Sequence, residues 1–247
     1  MGRRAEELRL AVMLLTRLPA GRLVDPAPSF ADAAWAYPLA GALMGALSGA
    51  TYCGIAALGV PLLAAALLAV GVAVLATGAM HEDGLADVAD GFGGGGDRDR
   101  KLDIMRDSRV GTYGVVAVVL AIGLLASAVA SFEPGWVAFF GFVAVGALSR
   151  AMMLVPMTFL PPARGDGLGS QAVLSGPLTL FAALGIALVL SLPMLVTALV
   201  ATWVMGAVAF AMVGLARRQI GGQSGDVLGA TQKLTEVSGW LVLAAMV

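Results

Sequence analysis

The sequence contains little charge, few aromatic residues and a single cysteine. Of its 247 residues, 13% are charged and 6% are aromatic, and Cys53 has no second cysteine with which to form a bridge. Soluble domains carry about 25% charged residues, so this composition argues against a soluble domain and against a disulfide-stapled one. The net charge of −1 leaves no excess of positive charge for nucleic acid, and we expect no nucleic-acid partner.

Apolar residues make up 59% of the chain, and the mean hydropathy is +0.91. Such values are typical of membrane proteins, in which a crossing helix needs about 20 apolar residues. Stretches of this kind occupy residues 33–58, 60–79, 112–131, 136–160, 172–192 and 194–216. A seventh stretch, 237–247, is either half a span or the end of a helix that begins earlier and carries Lys233 and Glu236. The sequence predicts one domain over residues 1–247, an all-α polytopic membrane bundle of six or seven transmembrane helices.

Basic residues predict how the bundle is oriented. Fourteen of the fifteen lysines and arginines fall on one side of the predicted spans, and the exception, Arg150, lies inside the fourth span. Cationic loops are cytoplasmic in membrane proteins, so this side is predicted to face the cytoplasm. The N-terminal segment, 1–32, is basic and has no small-residue cleavage site, which predicts an interfacial helix rather than a cleaved signal peptide.

Glycines recur every four residues in the first predicted span, at Gly41, Gly45 and Gly49. Small residues at this spacing allow two membrane helices to approach closely. We interpret them as packing positions.

The cytoplasmic segment 80–111 holds eight of the sixteen acidic residues. Asp83, Asp87 and Asp90 are spaced i, i+4, i+7, which places their carboxylates on one stripe of a helix that continues the second span. Like charges on one stripe repel each other unless a divalent cation lies between them, and Mg²⁺ prefers carboxylate and phosphate oxygens. The sequence therefore predicts an Mg²⁺ site and an active site at this face; the alternative is a solvated acidic helix face.

Cations near this stripe suit an anionic substrate. The guanidinium groups of Arg106 and Arg109 can bind phosphate in a bidentate manner, although surface salt bridges are the alternative. Arg150 is costly in lipid, so we expect it to bind a substrate phosphate or a carboxylate. His81 adjoins the stripe and is either a base, a positioning group or a structural residue.

A second polar segment, 216–236, is predicted on the same side of the membrane. It carries the glycine-rich run 221–226 together with further polar positions. Two polar segments at one membrane face suggest a shared site. Its candidate substrate-binding residues are Gly221, Gly222, Ser224, Asp226 and Lys233.

These motifs resemble the adenosylcobinamide-GDP ribazoletransferase family, also called cobalamin synthases, and the resemblance covers nearly the whole chain. Glu82 falls where the family varies, and Ser224 stands where a threonine is expected but keeps the hydroxyl. The matching stretches are TRLP at 16–19, YPL at 37–39, HEDGLADVADG at 81–91, IMRDSRVGTYG at 104–114, SR at 149–150 and GGQSGDVLGA at 221–230.

The resemblance implies a Mg²⁺-dependent phosphoryl transfer at the cytoplasmic face of a bacterial inner membrane. A hydroxyl of α-ribazole, or of its 5′-phosphate, would attack the cobinamide-side phosphorus of adenosylcobinamide-GDP and expel GMP. Homo-oligomerisation stays open. The implied catalytic residues are Asp83, Asp87 and His81; the implied metal ligands are Asp83, Asp87 and Asp90; and the implied substrate-binding residues are Arg106, Asp107, Ser108, Arg109, Arg150 and the second polar segment.

Two other readings compete with this one. A CDP-alcohol phosphotransferase would share a DGxxA element, but here Asp87 occupies the position where that motif requires arginine. A transporter would place its polar groups near the bilayer midplane, whereas this chain concentrates its acids in cytoplasmic segments.

Overall fold

The computed structural model describes residues 2–165 and 167–246, and within them the regular structure is helical, without strands. Two short 3₁₀ turns, Ala34–Ala36 and Leu192–Met194, accompany the α-helices. The prediction of an all-α membrane bundle is confirmed. The α-helices are α1 (Arg3–Leu15), α2 (Phe30–Ala33), α3 (Tyr37–Ala57), α4 (Leu62–Thr77), α5 (Met80–Gly94), α6 (Arg98–Ile104), α7 (Thr112–Val129), α8 (Trp136–Met152), α9 (Leu154–Phe159), α10 (Gly167–Gln171), α11 (Leu178–Leu190), α12 (Leu195–Ile220) and α13 (Gly225–Ala245).

Each of the six predicted spans contains a helix, but two of these helices are too short to count as membrane-crossing helices by themselves. Helix α4 has 16 residues and α11 has 13. Gly78 and Ala79 end α4 in left-handed conformations, and α11 begins only after Pro177. Among the described residues, four segments are long and apolar enough to cross a membrane, or five if α4 and α5 form one bent span. The six spans predicted from hydropathy are therefore too many by this criterion.

Helix α13 resolves the choice that the sequence left open for its C-terminal segment. The helix begins at Gly225 and includes both Lys233 and Glu236, so 237–245 is the end of a longer helix, while Val247 lies outside the described residues. It packs against α5, α7, α8 and α12. Its polar side chains Thr231, Gln232, Lys233 and Thr235 are buried, because the surrounding helices cover them.

The glycine stripe of α3 packs directly on α8. A Cβ on Gly41 would overlap the carbonyl group of Gly146, and one on Gly45 would overlap that of Phe142. Gly54, on the same helix, has open space around it. The packing prediction for the stripe is confirmed, and the two helices touch through their backbones.

The N-terminal segment forms a helix whose apolar side contacts protein. Leu10, Ala11 and Leu15 of α1 are buried, and α1 packs on α2 and α3. The apolar side of α1 is therefore part of the bundle's core.

Candidate active site

Helix α5 leaves α4 at a sharp corner. Gly78 and Ala79 have φ values of 69° and 60°, and the chain axis turns by 90° between the two helices. The guanidinium group of Arg17 lies so close to Gly78 that a Cβ there would overlap it, and the Arg17 backbone N–H donates to the Ala76 carbonyl at 2.7 Å. The sequence predicted that the acidic helix continues the second span, and this prediction is wrong. The helix runs at a right angle to that span, and we place it outside the spanning segments.

Two glycines allow α5 and α13 to approach closely. A Cβ on Gly84 would lie 2.8 Å from the carbonyl oxygen of Asp226, and one on Gly229 would lie 3.2 Å from that of Met80. Both distances are shorter than ordinary van der Waals contact, so a side chain at either glycine would push the helices apart. The contact brings the acidic stripe of α5 beside the N-terminal turn of α13. The two polar segments that were predicted to share a site therefore meet.

Three carboxylates crowd together where these helices meet. Burial, together with the negative charges of Asp226, Asp83 and Asp90, raises the pKa of the Asp87 carboxyl to about 7. Burial likewise raises the pKa of Asp226, and the charge of Asp83 acts in the same direction. We call Asp83, Asp87 and Asp226 the acidic cluster.

Arg164 supplies positive charge at the acidic cluster. It lies in the connection after α9, and its charge lowers the pKa of both Asp87 and Asp226. Its guanidinium also donates to the carbonyl oxygen of Leu102, which fixes the side chain to α6. Sequence reasoning counted Arg164 only as a cytoplasmic charge, because it stands outside every motif.

The carboxylate of Asp90 accepts hydrogen bonds from the backbone. It accepts them from Gly111 N–H at 2.6 Å and from Gly114 N–H at 2.9 Å. These two donors belong to the start of α7, where backbone N–H groups lack partners within the helix. Asp90 thus caps α7 from across the chain and ties the segment before it to the acidic helix.

The segment between α6 and α7 is largely exposed. Arg106, Ser108 and Arg109 are exposed, and Asp107 is half-buried. Arg109 pairs with Asp107 at 2.6 Å, and that pairing, chiefly through hydrogen bonds, lowers the pKa of Asp107 to about 2. The predicted phosphate-binding arginines are therefore on a surface that a large substrate can reach.

The glycine-rich turn between α12 and α13 is braced by its neighbours. Gly221 ends α12 with φ 75°, and a Cβ on Gly222 would overlap the carbonyl group of Pro161. The hydroxyl of Ser224 accepts from Val227 N–H at 3.3 Å as the N-cap of α13, and it donates to Asp226 Oδ2 at 3.2 Å. The predicted hydroxyl at Ser224 thus holds an acidic-cluster carboxylate in place.

A buried charge network lies behind the acidic cluster. Lys233 Nζ contacts Glu82 Oε1 at 2.7 Å and Glu236 Oε2 at 2.5 Å, and Arg150 Nη1 contacts Glu236 Oε1 at 3.2 Å. Arg150 also donates to the Ser149 hydroxyl at 3.1 Å. We call Glu82, Arg150, Lys233 and Glu236 the buried charge network. Two cations and two carboxylates make it neutral overall.

This network places two predicted substrate-binding residues inside the protein. The side chains of Arg150 and Lys233 are 3% and 5% exposed, and both are paired with carboxylates. Arg150 meets a carboxylate, which was one of its two predicted partners. The sequence interpretation set Glu82 aside and did not single out Glu236 as a site residue. The available signal was the pair of opposite charges at i, i+3, Lys233 and Glu236, directly before an apolar run.

His81 lies beside this network and is 1% exposed. Burial, together with the charges of Arg150 and Lys233, holds its pKa well below the ordinary value, so the imidazole is neutral at pH 7. Within the part of the chain that the structure describes, its Nε2 has no hydrogen-bond partner.

A closed metal cage is absent from the described residues. No group of three or more His, Cys, Asp or Glu side chains in 2–165 and 167–246 is arranged to hold a metal ion. Any ion bound at the acidic cluster would need further ligands from water or substrate, which is the usual manner of Mg²⁺ binding.

The model of the cobalamin-5-phosphate synthase family matches residues 7–244 of this chain. The chain belongs to that family. Its matched region includes the acidic cluster, the buried charge network and the glycine-rich turn. No solved structure is significantly similar to the chain.

Curated relatives of this synthase family cover almost the same length. The chain is similar to a protein of Bradyrhizobium diazoefficiens, at 43% identity over 97% of this chain and 93% of the relative. A Mesorhizobium japonicum protein is 39% identical over 96% of this chain and 92% of the relative. A Rhizobium meliloti protein is 44% identical over 85% of this chain and 84% of the relative. Each of the three is named adenosylcobinamide-GDP ribazoletransferase.

Proposed function

We propose that this chain transfers the adenosylcobinamide-phosphate group from adenosylcobinamide-GDP to α-ribazole or its 5′-phosphate and releases GMP. The observation that carries the proposal is the match to the synthase family over residues 7–244, with relatives of one activity over most of the chain. The comparisons favour neither a CDP-alcohol phosphotransferase nor a transporter.

The reaction needs a proton acceptor and charge neutralisation at phosphate. A ribazole hydroxyl oxygen forms a bond to the cobinamide-side phosphorus, while the bond from that phosphorus to the GMP oxygen breaks. We assign the hydroxyl proton to a carboxylate of the acidic cluster, Asp83 or Asp87. His81 is buried and neutral, so its contribution would be to position the start of α5.

The donor chemistry of the acidic cluster fits Mg²⁺. Crowded carboxylates with a raised pKa at Asp87 are stabilised by a hard cation, which requires few protein ligands when substrate phosphates supply others. Asp83 and Asp87 are the proposed ligands, and Asp90 supports them because its oxygens already accept two backbone N–H groups. Bound there, the ion would neutralise developing charge on the pyrophosphate.

Arginines outside the buried charge network are suited to contact the substrate phosphates. Arg106 and Arg109 are exposed next to the start of α7, and Arg164 lies at the acidic cluster. Arg150 and Lys233 are enclosed by their carboxylate partners, so their proposed contribution is to hold α5 against α8 and α13.

The location of the site follows from the charge pattern. All basic residues except Arg150 are predicted on one side of the spans, and the acidic cluster lies on that side. We propose that the protein resides in the bacterial inner membrane, with the N-terminus and the acidic cluster facing the cytoplasm.

Mass spectrometry of products tests the proposed function. The detergent-purified chain would receive adenosylcobinamide-GDP, α-ribazole 5′-phosphate and Mg²⁺, with a chelator control. We expect chelator-sensitive formation of GMP and adenosylcobalamin 5′-phosphate, loss of both with Asp83→Asn, and retention of both with Asp99→Asn, which changes an exposed residue of α6. Absence of both products from folded, lipid-supplemented protein would contradict the proposal.

A further inference from the structure

A cavity of about 580 Å³ lies between the N-terminal helices and α11. This volume is in the range of pockets that hold small molecules. Residues of the acidic cluster do not line it, so it is separate from the proposed active site. One end of the cavity is polar, and the other is apolar.

Two arginines form the polar end. Arg3 and Arg4 keep 75% and 77% of their side chains exposed, while the Glu7 carboxylate between them is 4% exposed. Glu7 accepts from Arg3 at 3.3 Å, from Arg4 at 2.8 Å and from Trp35 Nε1 at 2.7 Å. One buried carboxylate thus holds two guanidinium groups side by side, with donors left over for an anion. Asp32 contacts Arg3 at 3.4 Å and is the other acid at this end.

A stripe on α11 forms the apolar end. Leu178, Ala182 and Ile186 line the cavity at i, i+4, i+8 and extend for about 12 Å along the helix. Leu178 and Phe181 are 80% and 64% exposed, so this side of α11 presents apolar side chains that suit contact with acyl chains. The cavity therefore opens toward lipid.

Trp35 marks the level of the membrane surface in this cavity. Its ring lies 5.4 Å from the Arg4 guanidinium carbon, and its indole N–H is bound to Glu7. Tryptophan is enriched at the boundary between headgroups and acyl chains. The paired arginines and the apolar stripe match in chemistry the phosphate and the acyl chain of a phospholipid.

We propose that this cavity binds one phospholipid of the surrounding bilayer. Arg3 and Arg4 hold its phosphate, and one acyl chain lies along Leu178, Ala182 and Ile186. Glu7 and Asp32 balance the charges of the two arginines, so a phospholipid with a zwitterionic headgroup is accommodated. The site is independent of the proposed reaction, because it shares no residue with the acidic cluster.

Native mass spectrometry of the full chain tests this site. Delipidated protein in detergent would be titrated with dioleoyl phosphatidylethanolamine and, separately, with dioleoylglycerol, which has the same chains but no phosphate. We expect one retained phosphatidylethanolamine and no retained dioleoylglycerol. The double variant Arg3→Gln, Arg4→Gln should bind the phospholipid about tenfold more weakly, as expected for the loss of a charge-assisted hydrogen bond.

A second variant tests the apolar end without altering charge. Ala182→Trp should fill the acyl channel and prevent retention, whereas Val196→Trp, on the exposed side of α12, should not. Arg22→Gln is the matched control for the arginines, because it is exposed and does not line the cavity. Equal retention by all variants, or retention of GMP with the same dependence on Arg3 and Arg4, would overturn the proposal.

Discussion

Lys233 shows how a single residue connects the stability of the fold to the site. Its ammonium joins Glu82 on α5 to Glu236 on α13, and all three side chains are at least largely buried. Removing one partner of a buried ion pair leaves an uncompensated charge, which costs much more than the loss of an exposed pair. Lys233 therefore links the acidic helix α5 to α13.

Substitution of Lys233 tests this role. Lys233→Met leaves the buried carboxylate of Glu82 without its cation and Glu236 with Arg150 alone, and we expect the free energy of unfolding to fall by about 3–5 kcal/mol. Thermal unfolding in detergent measures the change. Arg109→Gln is the control: it breaks an exposed, solvent-screened ion pair, and we expect a much smaller change in the free energy of unfolding. Equal losses in the two variants would contradict a buried network.

Sequence reasoning singled out most polar residues of the candidate site but not their partners. Spacing placed Asp83, Asp87 and Asp90 on one stripe, and the glycine-rich run drew attention to Asp226. It could not show that Lys233 pairs with Glu82, because the two residues are far apart in sequence and meet only through helix packing. For the same reason the sequence left open whether Arg150 binds a substrate phosphate or a carboxylate, and the structure gives it the carboxylate of Glu236 inside the protein.

At the scale of elements, the packing of α3 on α8 depends on the absence of side chains. Gly45→Ala would drive a methyl group into the Phe142 carbonyl, and we expect overpacking to cost about 1–3 kcal/mol. Gly54→Ala, in open space on the same helix, should be neutral or stabilising by up to about 1 kcal/mol. Unfolding curves of the two variants in one detergent would compare them directly. Indistinguishable curves would refute the close helix contact.

The start of α7 depends on a carboxylate from another helix. Asp90→Ala removes the acceptor for Gly111 and Gly114 N–H, and we expect loss of about 1–2 kcal/mol of local protection. Hydrogen exchange should quicken at residues 111–115 and leave α6 unchanged. Asp97→Ala is the matched control, because Asp97 caps α6 by accepting from Arg100 N–H at 2.9 Å. Slow exchange at 111–115 in Asp90→Ala would contradict the capping role.

Hydropathy predicted where helices lie better than where they turn. The long apolar runs correspond to α3, α7, α8 and α12, since length and apolarity are properties of each segment by itself. The 90° corner at Gly78 and Ala79 was not predicted. The left-handed conformation of Ala79 is held by the contacts of Arg17 with the adjacent residues Ala76 and Gly78 and by the packing of α5 on α13. Tertiary contacts of this kind leave no local pattern in the sequence from which the corner could be predicted.

The orientation of the whole molecule can be tested with its single native cysteine removed. In a Cys53→Ser background, we expect a cysteine at Arg100 to react with a membrane-impermeant maleimide only after inner-membrane vesicles are inverted. A cysteine at Glu133, in the loop predicted on the opposite side, should react in intact spheroplasts. Labelling of both positions from the same side would contradict the predicted topology.

The central claim at this scale is that two motifs distant in sequence build one acidic site. Electron paramagnetic resonance of Mn²⁺, used in place of Mg²⁺ with the full chain in lipid nanodiscs, measures this most directly. We predict one bound ion whose affinity falls at least about tenfold in both Asp87→Asn and Asp226→Asn and is unchanged in Asp99→Asn. Wild-type affinity in Asp226→Asn would show that α13 takes no part in the site and would contradict the claim.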